Sequence, residues 1–338
     1  MTLLELSREL GVSVATVSNA LTGKGRMRPE KRQQIIETAI AFGYDIQSVQ
    51  TRQRKKNVYI IVEQVENAPT PPILDSICKA AMEADVNAYI INLNLLDIFG
   101  DISPDNEKVR EIVRPAFQMV SGSANGIIYL SQYPRDLTGV FPKVSLPFVI
   151  AYSYTSEDYT CINYDDASGA YIATKHLIDC GCRSIAMISG PINSLPMTKR
   201  LSGYQRALID SGLSFDPRLI QLGNWLPESS YHCAQQLMKM GKKPDAIFCQ
   251  SDRMAVGAMR AIQDMGLRIP DDIAIAGFDN TDFCEYLTPS LTSIVTPFRE
   301  IGKTAFDQLI KLISNNKSVP ISIKVPCKIV VRDSSRSR

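Results

Sequence analysis

The chain is poor in the residues that most enzymes and metal centres use. Among 338 residues there are two histidines, His176 and His232, and one tryptophan, Trp225. With so few imidazoles, no Ser/His/Asp or Cys/His set for nucleophilic catalysis takes shape. The eight cysteines are scattered, and Cys180-Gly181-Cys182 is the one close pair. Its spacing, with His176 nearby, lacks a second close pair to complete four zinc ligands, so no metal is expected. Scattered thiols of this kind read as small buried hydrophobes rather than a disulfide framework. Glycine loops for phosphate are missing too. Gly302-Lys303-Thr304 looks like the end of one, but Pro297 occupies the position of its first glycine. No Gly-x-Gly-x-x-Gly follows a strand-like run, so neither a dinucleotide cofactor nor an enzymatic activity is expected. No apolar run approaches the roughly 18–20 residues of a membrane helix. Met1-Thr2-Leu3-Leu4-Glu5 has no basic start leading into an apolar core, and a cytoplasmic location is expected.

What the chain does have is a basic head on a mildly acidic body. Residues 1–56 hold ten Lys/Arg against five acids, a net of +5, while the remainder carries 27 against 30, a net of −3. Such asymmetry fits polyanion binding confined to one end. Within the head, Leu3, Leu6 and Leu10 fall at helical spacing, Gly11 permits a tight turn, and Ser13 suits the cap of a second helix. In that second helix Val17, Ala20 and Leu21 share one side. Ala15, Thr16, Ser18 and Asn19 occupy the other, and such short side chains let a helix press into a major groove. A third helix runs from Pro29 to just before Gly43, with Ile35, Ile36, Ala39, Ile40 and Phe42 as its apolar stripe. Three helices in so short a span make a helix-turn-helix domain.

At 338 residues the chain exceeds one ordinary core. Beyond residue 57 strand-like runs alternate with helical stretches. The runs are 58–62, 89–93, 126–130, 148–152, 184–189, 219–222, 246–250 and 273–278. The helical stretches include 73–86, 105–121, 166–180, 199–211, 228–240 and 252–264. This alternation predicts parallel sheets covered by helices, and their number predicts two doubly wound α/β subdomains with a ligand cleft between them. The polar, basic stretch Gln47–Asn57 reads as the linker.

The residues then resemble the lactose repressor/galactose repressor family along nearly the whole chain. The likeness is carried by Gly11–Ser18, Ala20–Gly23, Phe42–Tyr44, Asp165–Gly169, His176–Ile178, Ile185–Pro191, Arg200–Tyr204, Ser251–Ala258, Ile269–Asn280 and Val331–Ser334. The resemblance implies a transcription regulator of periplasmic-binding-protein type, most often a repressor. It implies a homodimer on a palindromic double-stranded operator, controlled by a small effector, a sugar or sugar derivative. It divides the chain into a DNA-binding domain (1–45), a hinge (46–57) and an effector-binding and dimerisation body (58–338). The body's subdomains are expected at about 58–160 plus 290–323, and about 161–289 plus 324–338. A second possibility is a family-like regulator whose cleft is structural and whose signal is a partner protein.

The resemblance points to Val14, Ala15 and Asn19 for base readout, with Thr16 and Ser18 on phosphates. In the hinge it expects Asn-x-x-Ala-Arg-x-Leu, where the leucine wedges into the minor groove. Here those last positions are Gln50, Thr51 and Gln53. A leucine-driven kink is therefore not expected, and Arg52 and Arg54 are left to hold phosphates by charge. For the effector the resemblance points to Arg200, Trp225, Asp252 and Asp279, with Asn67 and Tyr152 from the first subdomain. Arg200 offers two parallel donors, Trp225 a flat apolar face, and the two carboxylates accept from hydroxyls. Relatives often carry an acid at the position of Tyr152 and a base at that of Ser153, so a different ligand is expected here.

Overall fold

The computed structural model describes residues 2–22, 25–44, 55–66, 68–100, 105–315 and 319–336. The head contains α1 (Leu3–Glu9), α2 (Val14–Thr22) and α3 (Pro29–Ala41). Thr2 and Glu5 close a capping box on α1, satisfying two otherwise orphaned N–H groups. The Ser13 hydroxyl accepts from the Thr16 amide at 3.1 Å and starts α2. Gly43, at φ +70°, ends α3: its N–H reaches the Ile40 carbonyl, and the Tyr44 N–H reaches that of Ala39. Leu6, Val17, Ala20, Leu21, Ile35 and Ala39 form the small core. Ile40 and Phe42, expected in the stripe, are 61% and 43% exposed. One helical face holds Ile35 and Ala39, and the next positions rotate out of it.

The first sheet contains β1 (Asn57–Val62), β2 (Asn87–Asn92), β3 (Gly126–Leu130), β4 (Phe148–Ala151), β5 (Thr160–Tyr164) and β11 (Ser322–Val325). Its order is β11-β5-β4-β3-β1-β2, parallel throughout. Around it lie α4 (Thr70–Glu83), the short α5 (Leu95–Phe99), α6 (Asn106–Val120) and α11 (Phe298–Ser314). The second sheet contains β6 (Ile185–Ser189), β7 (Ile220–Leu222), β8 (Ala246–Cys249), β9 (Ala274–Asp279), β10 (Thr292–Val295) and β12 (Lys328–Val330). Its order is β12-β10-β9-β8-β6-β7, with β12 alone antiparallel. Its helices are α7 (Asp166–Asp179), α8 (Leu195–Asp210), α9 (Pro227–Met238) and α10 (Asp252–Asp264). Strands β3, β4, β6 and β8 are buried along their whole length, as helices on both faces require.

The chain crosses between sheets three times: after β5, after β10 and after β11. The strands shift the expected boundaries. Thr160–Tyr164 pairs with β4 and so lies in the first sheet, whereas Thr292–Val295 pairs with β9 and lies in the second. Gly302-Lys303-Thr304 sits inside α11, not in a phosphate loop; a Cβ on Gly302 would come within 2.3 Å of the Ile73 carbonyl oxygen. Among the described residues no helix is long and apolar enough to cross a membrane.

Candidate functional site

A cleft of about 720 Å³ opens between the sheets, beyond the carboxyl ends of their strands. That volume lies within the roughly 300–1,000 Å³ of small-molecule sites. Its floor is aromatic. The Tyr152 ring, just past β4, stacks on Tyr164 at 5.9 Å and meets Phe298 edge-on at 5.6 Å. Tyr164 in turn lies 6.3 Å from Phe278 on β9.

Arg200 projects from α8 into this floor and is 4% exposed. Its Nε donates to Asp166 at 2.7 Å, its Nη2 to the Tyr164 hydroxyl at 2.8 Å, and its Nη1 to the Gln250 carbonyl. The guanidinium also lies 3.7 Å over the Phe278 ring and 3.8 Å from the Asp279 carboxylate. Burial pushes the Asp166 carboxyl up, and Arg200 pulls it back down. A charge so fully compensated acts as a pillar that orients neighbours, rather than as a free grip for an anion.

Three cleft residues hold backbone conformations that non-glycine residues seldom adopt. Tyr152 has φ 63°, Trp225 φ 68° and Asp279 φ 109°. Each costs of order 1–3 kcal/mol and persists only where its surroundings enforce it, commonly at ligand clamps. The Trp225 indole lies against the backbone at Gly190, where a Cβ would come within 2.0 Å of the ring. Gly190 thus leaves room for a flat indole wall. Asp279 is 31% accessible by side-chain area, yet it sits low against Arg200 and Thr296. Desolvation pushes its carboxyl up to about 7, against the opposing pull of Arg200.

Of the residues expected to meet an effector, Tyr152, Arg200, Trp225 and Asp279 line the cleft together. Asp252 does not. It is fully buried, with one carboxylate oxygen accepting from the Thr281 amide and hydroxyl and the other from the Ser293 hydroxyl. Its position at the start of α10 turns it under β9 and β10 instead of into the cleft, and Ser251 serves as the helix cap. Asn67, Arg52 and Arg54 lie outside the described residues.

The first wall of the cleft was missed in the sequence. Arg135 lines it and forms a buried two-pronged pair with Glu63, whose carboxylate also accepts from Tyr129, Ser131 and the Gln132 amide. Tyr133, Asp136 and Tyr154 complete that wall, and Ser251 and Arg253 lie on the other side. A signal existed. Glu63 directly follows the apolar run of β1, and Arg135 shortly follows that of β3, the adjacent strand. Opposite charges at the carboxyl ends of neighbouring buried strands have little choice but to pair.

On the head, Val14, Ala15 and Asn19 are exposed and Thr16 and Ser18 half-buried, while Val17, Ala20 and Leu21 face inward. The Thr16 hydroxyl is paired with that of Ser13 at 2.8 Å. Beside this face a notch of about 460 Å³ is lined by Thr16, Asn19, Arg26, Arg28 and Lys31 among others, with three cations and no acid. Among the described residues no three metal-ligating side chains converge.

A capped trihelical head with short side chains on its middle helix, carried by a two-sheet body with a central cleft, defines a helix-turn-helix regulator built on a periplasmic-binding-protein-like frame. A family model described as a periplasmic binding protein-like domain matches residues 174–335. The chain is 30% identical to catabolite control protein A of Priestia megaterium over 348 aligned positions, covering 99% of each. It is 29% identical to the HTH-type transcriptional repressor PurR of Salmonella paratyphi A over 341, covering 98% of this chain and 96% of that one. The fold superposes on the Lac repressor bound to ONPG in its repressed state with a TM-score of 0.71, at 22% identity and 99% coverage of both chains. The chain belongs to the lactose repressor/galactose repressor family. It is a DNA-binding transcription regulator, not an enzyme.

Proposed function

We propose that the protein is a cytoplasmic repressor of sugar or related carbon metabolism genes, whose hold on a palindromic operator is set by a small effector in the cleft. Two copies act together, each contributing one α2. In this reading residues 1–45 meet DNA, 46–57 connect, and 58–338 bind effector and dimerise. Val14, Ala15 and Asn19 meet base edges, and Thr16, Ser18, Arg52 and Arg54 meet phosphates. Tyr152, Arg200, Trp225 and Asp279 form the effector floor, and Asn67 is also assigned to effector binding.

One observation carries the effector reading. Trp225 and Asp279 hold costly backbone conformations around a cleft that pairs a flat indole with a carboxylate. Sugars present an apolar ring face and a rim of hydroxyls, which such a pair matches. The permanent charge of Arg200 is compensated within the protein, which favours a hydroxyl-rich effector over a multiply charged one. Trp225 is the sole tryptophan, so its fluorescence reports on the cleft alone. Titration with a panel of neutral sugars and sugar acids is expected to give a saturable change for at least one member. Asp279→Asn should weaken that binding at least tenfold without lowering the melting point. A panel that neither alters the fluorescence nor raises the melting point contradicts the proposal.

A further inference from the structure

The effector floor depends on a turn whose support lies outside the cleft. Asp279 and Asn280 are consecutive non-glycine residues at φ 109° and 50°. Asparagine tolerates the left-handed region that Asn280 occupies, but φ 109° at Asp279 lies outside it, so the neighbours must enforce the turn there. Three elements do. From α10, Asp252 accepts from the Thr281 amide at 2.8 Å and the Thr281 hydroxyl at 3.1 Å. From β10, the Ser293 hydroxyl accepts from the Asn280 amide at 3.0 Å and donates to the Asp252 carboxylate at 2.5 Å. From the chain's last segment, Arg332 donates to the Asn280 side-chain oxygen at 2.9 Å and to the Leu291 carbonyl at 2.8 Å.

Asp252 is the hub of this arrangement. Both of its oxygens are used, and the side chain is fully buried. It presses so closely on β9 that a Cβ on Gly277 would stand 2.3 Å from its Oδ1. An acid in the first turn of a helix is ordinarily explained by the helix dipole. Here the carboxylate is spent on hydrogen bonds to β10 and the turn after β9. A buried carboxylate with three donors from two other elements ties those elements in fixed register.

We propose that Asp252 is a positioning residue, whose buried carboxylate locks the Asp279–Thr281 turn and so fixes the Asp279 carboxyl beside Arg200. It touches no effector and acts through the turn. Its consequence for effector affinity rests on the cleft being the effector site. The lock itself does not, so the test below uses no ligand and the two ideas fail separately.

The test compares the full chain with Ser293→Ala and Asp252→Asn. Ser293→Ala removes the relay from β10 and leaves every charge and the start of α10 in place. Asp252→Asn keeps the shape but sets an amide donor against the hydroxyls that now donate. Hydrogen exchange at Asn280 should quicken at least tenfold in Ser293→Ala, and at both Asn280 and Thr281 in Asp252→Asn. Amides within α10 and β8 should keep their protection. Carbon-13 carboxyl titration should find Asp279 near 7 in the wild type. In Ser293→Ala it should move by at least half a unit toward the ordinary carboxylate range, as the loosened turn lets water in. A dipole role alone would alter α10 and leave the turn and this titration untouched. Unchanged exchange at Asn280 and unchanged titration of Asp279 in Ser293→Ala overturn the proposal, whether or not Asp252→Asn folds.

Discussion

At the scale of single residues, the cleft is organised by partners inside the protein before any ligand arrives. Arg200 has Asp166, Tyr164, Gln250 and Asp279 around it. Arg200→Met strands the buried Asp166 carboxylate and is expected to cost about 3–5 kcal/mol of stability, read by urea unfolding. Loss of effector binding in that variant would therefore not distinguish contact from collapse, and Asp279→Asn is the cleaner probe. Asp279 also sets a pH dependence. Its folded carboxyl ionises at about 7, whereas an unfolded aspartate does so near 3.9. Between those values the unfolded chain gives up a proton that the folded protein keeps, so this group lowers stability as pH rises from about 4 to about 7, and no further above. The melting point of Asp279→Asn should gain on the wild type across that window and run parallel to it below. A parallel course throughout would contradict the assignment. In the proposed reading effector hydroxyls donate to Asp279, and they bond an ionised carboxylate more strongly than a neutral acid, so affinity should climb as pH passes through 7. At Gly190 an alanine would overlap the Trp225 ring. Gly190→Ala should displace the indole, shift its emission to the red and weaken effector binding.

At the scale of elements, the proposed roles on α2 follow exposure. Asn19→Ala should remove about 1–3 kcal/mol of discrimination at one base pair, while Thr16→Val and Ser18→Ala should weaken all sequences alike. Quantitative binding to an operator and to single-base variants separates the two patterns; equal loss on all sequences for Asn19→Ala would remove it from base readout. The head was legible because its signals are local: the Ser13 cap, the glycines at turns and the inward Val17, Ala20 and Leu21 all act within a few residues. Central strands such as β3 and β8 were legible as apolar runs because they are buried on both faces. Strand β5 (Thr160–Tyr164) and strand β10 (Thr292–Val295) were not, since both carry Thr, Asn or Ser at ladder positions that break the apolar run. Their sheet membership follows from long-range pairing, which no local pattern records. The helix α11 is absent from the helical stretches read in the sequence, although Ile301, Ala305 and Leu309 fall at helical spacing and are buried. Its Gly302-Lys303-Thr304 imitates a phosphate loop by composition alone. Asp252 shows the limit from the other side: in sequence it looks like Asp279, an acid at the end of an apolar strand. Only the packing of α10 under β9 turns one into a tether and leaves the other in the cleft.

At the scale of the whole molecule, the proposed function couples a cleft to a DNA-reading head. Linkage requires that an effector which changes DNA affinity by some factor has its own affinity changed by the same factor. The sequence of the hinge sets a further expectation. With Gln50, Thr51 and Gln53 in place of the family's alanine, arginine and leucine, charge must replace a wedge. Binding to DNA should be strongly salt-dependent, with the slope of log affinity against log salt falling by about 0.9 for each phosphate contact removed. A circular-permutation gel should show little bending, and a large bend would contradict the loss of the wedge. Selection from genomic fragments asks whether α2 reads sequence from its exposed face. Fluorescence anisotropy at modest ionic strength, with and without metabolite extract, should single out discrete two-fold-symmetric sites over random competitor, and Asn19→Ala should lose that preference. Equal affinity for every fragment in both conditions would mean that α2 reads no sequence.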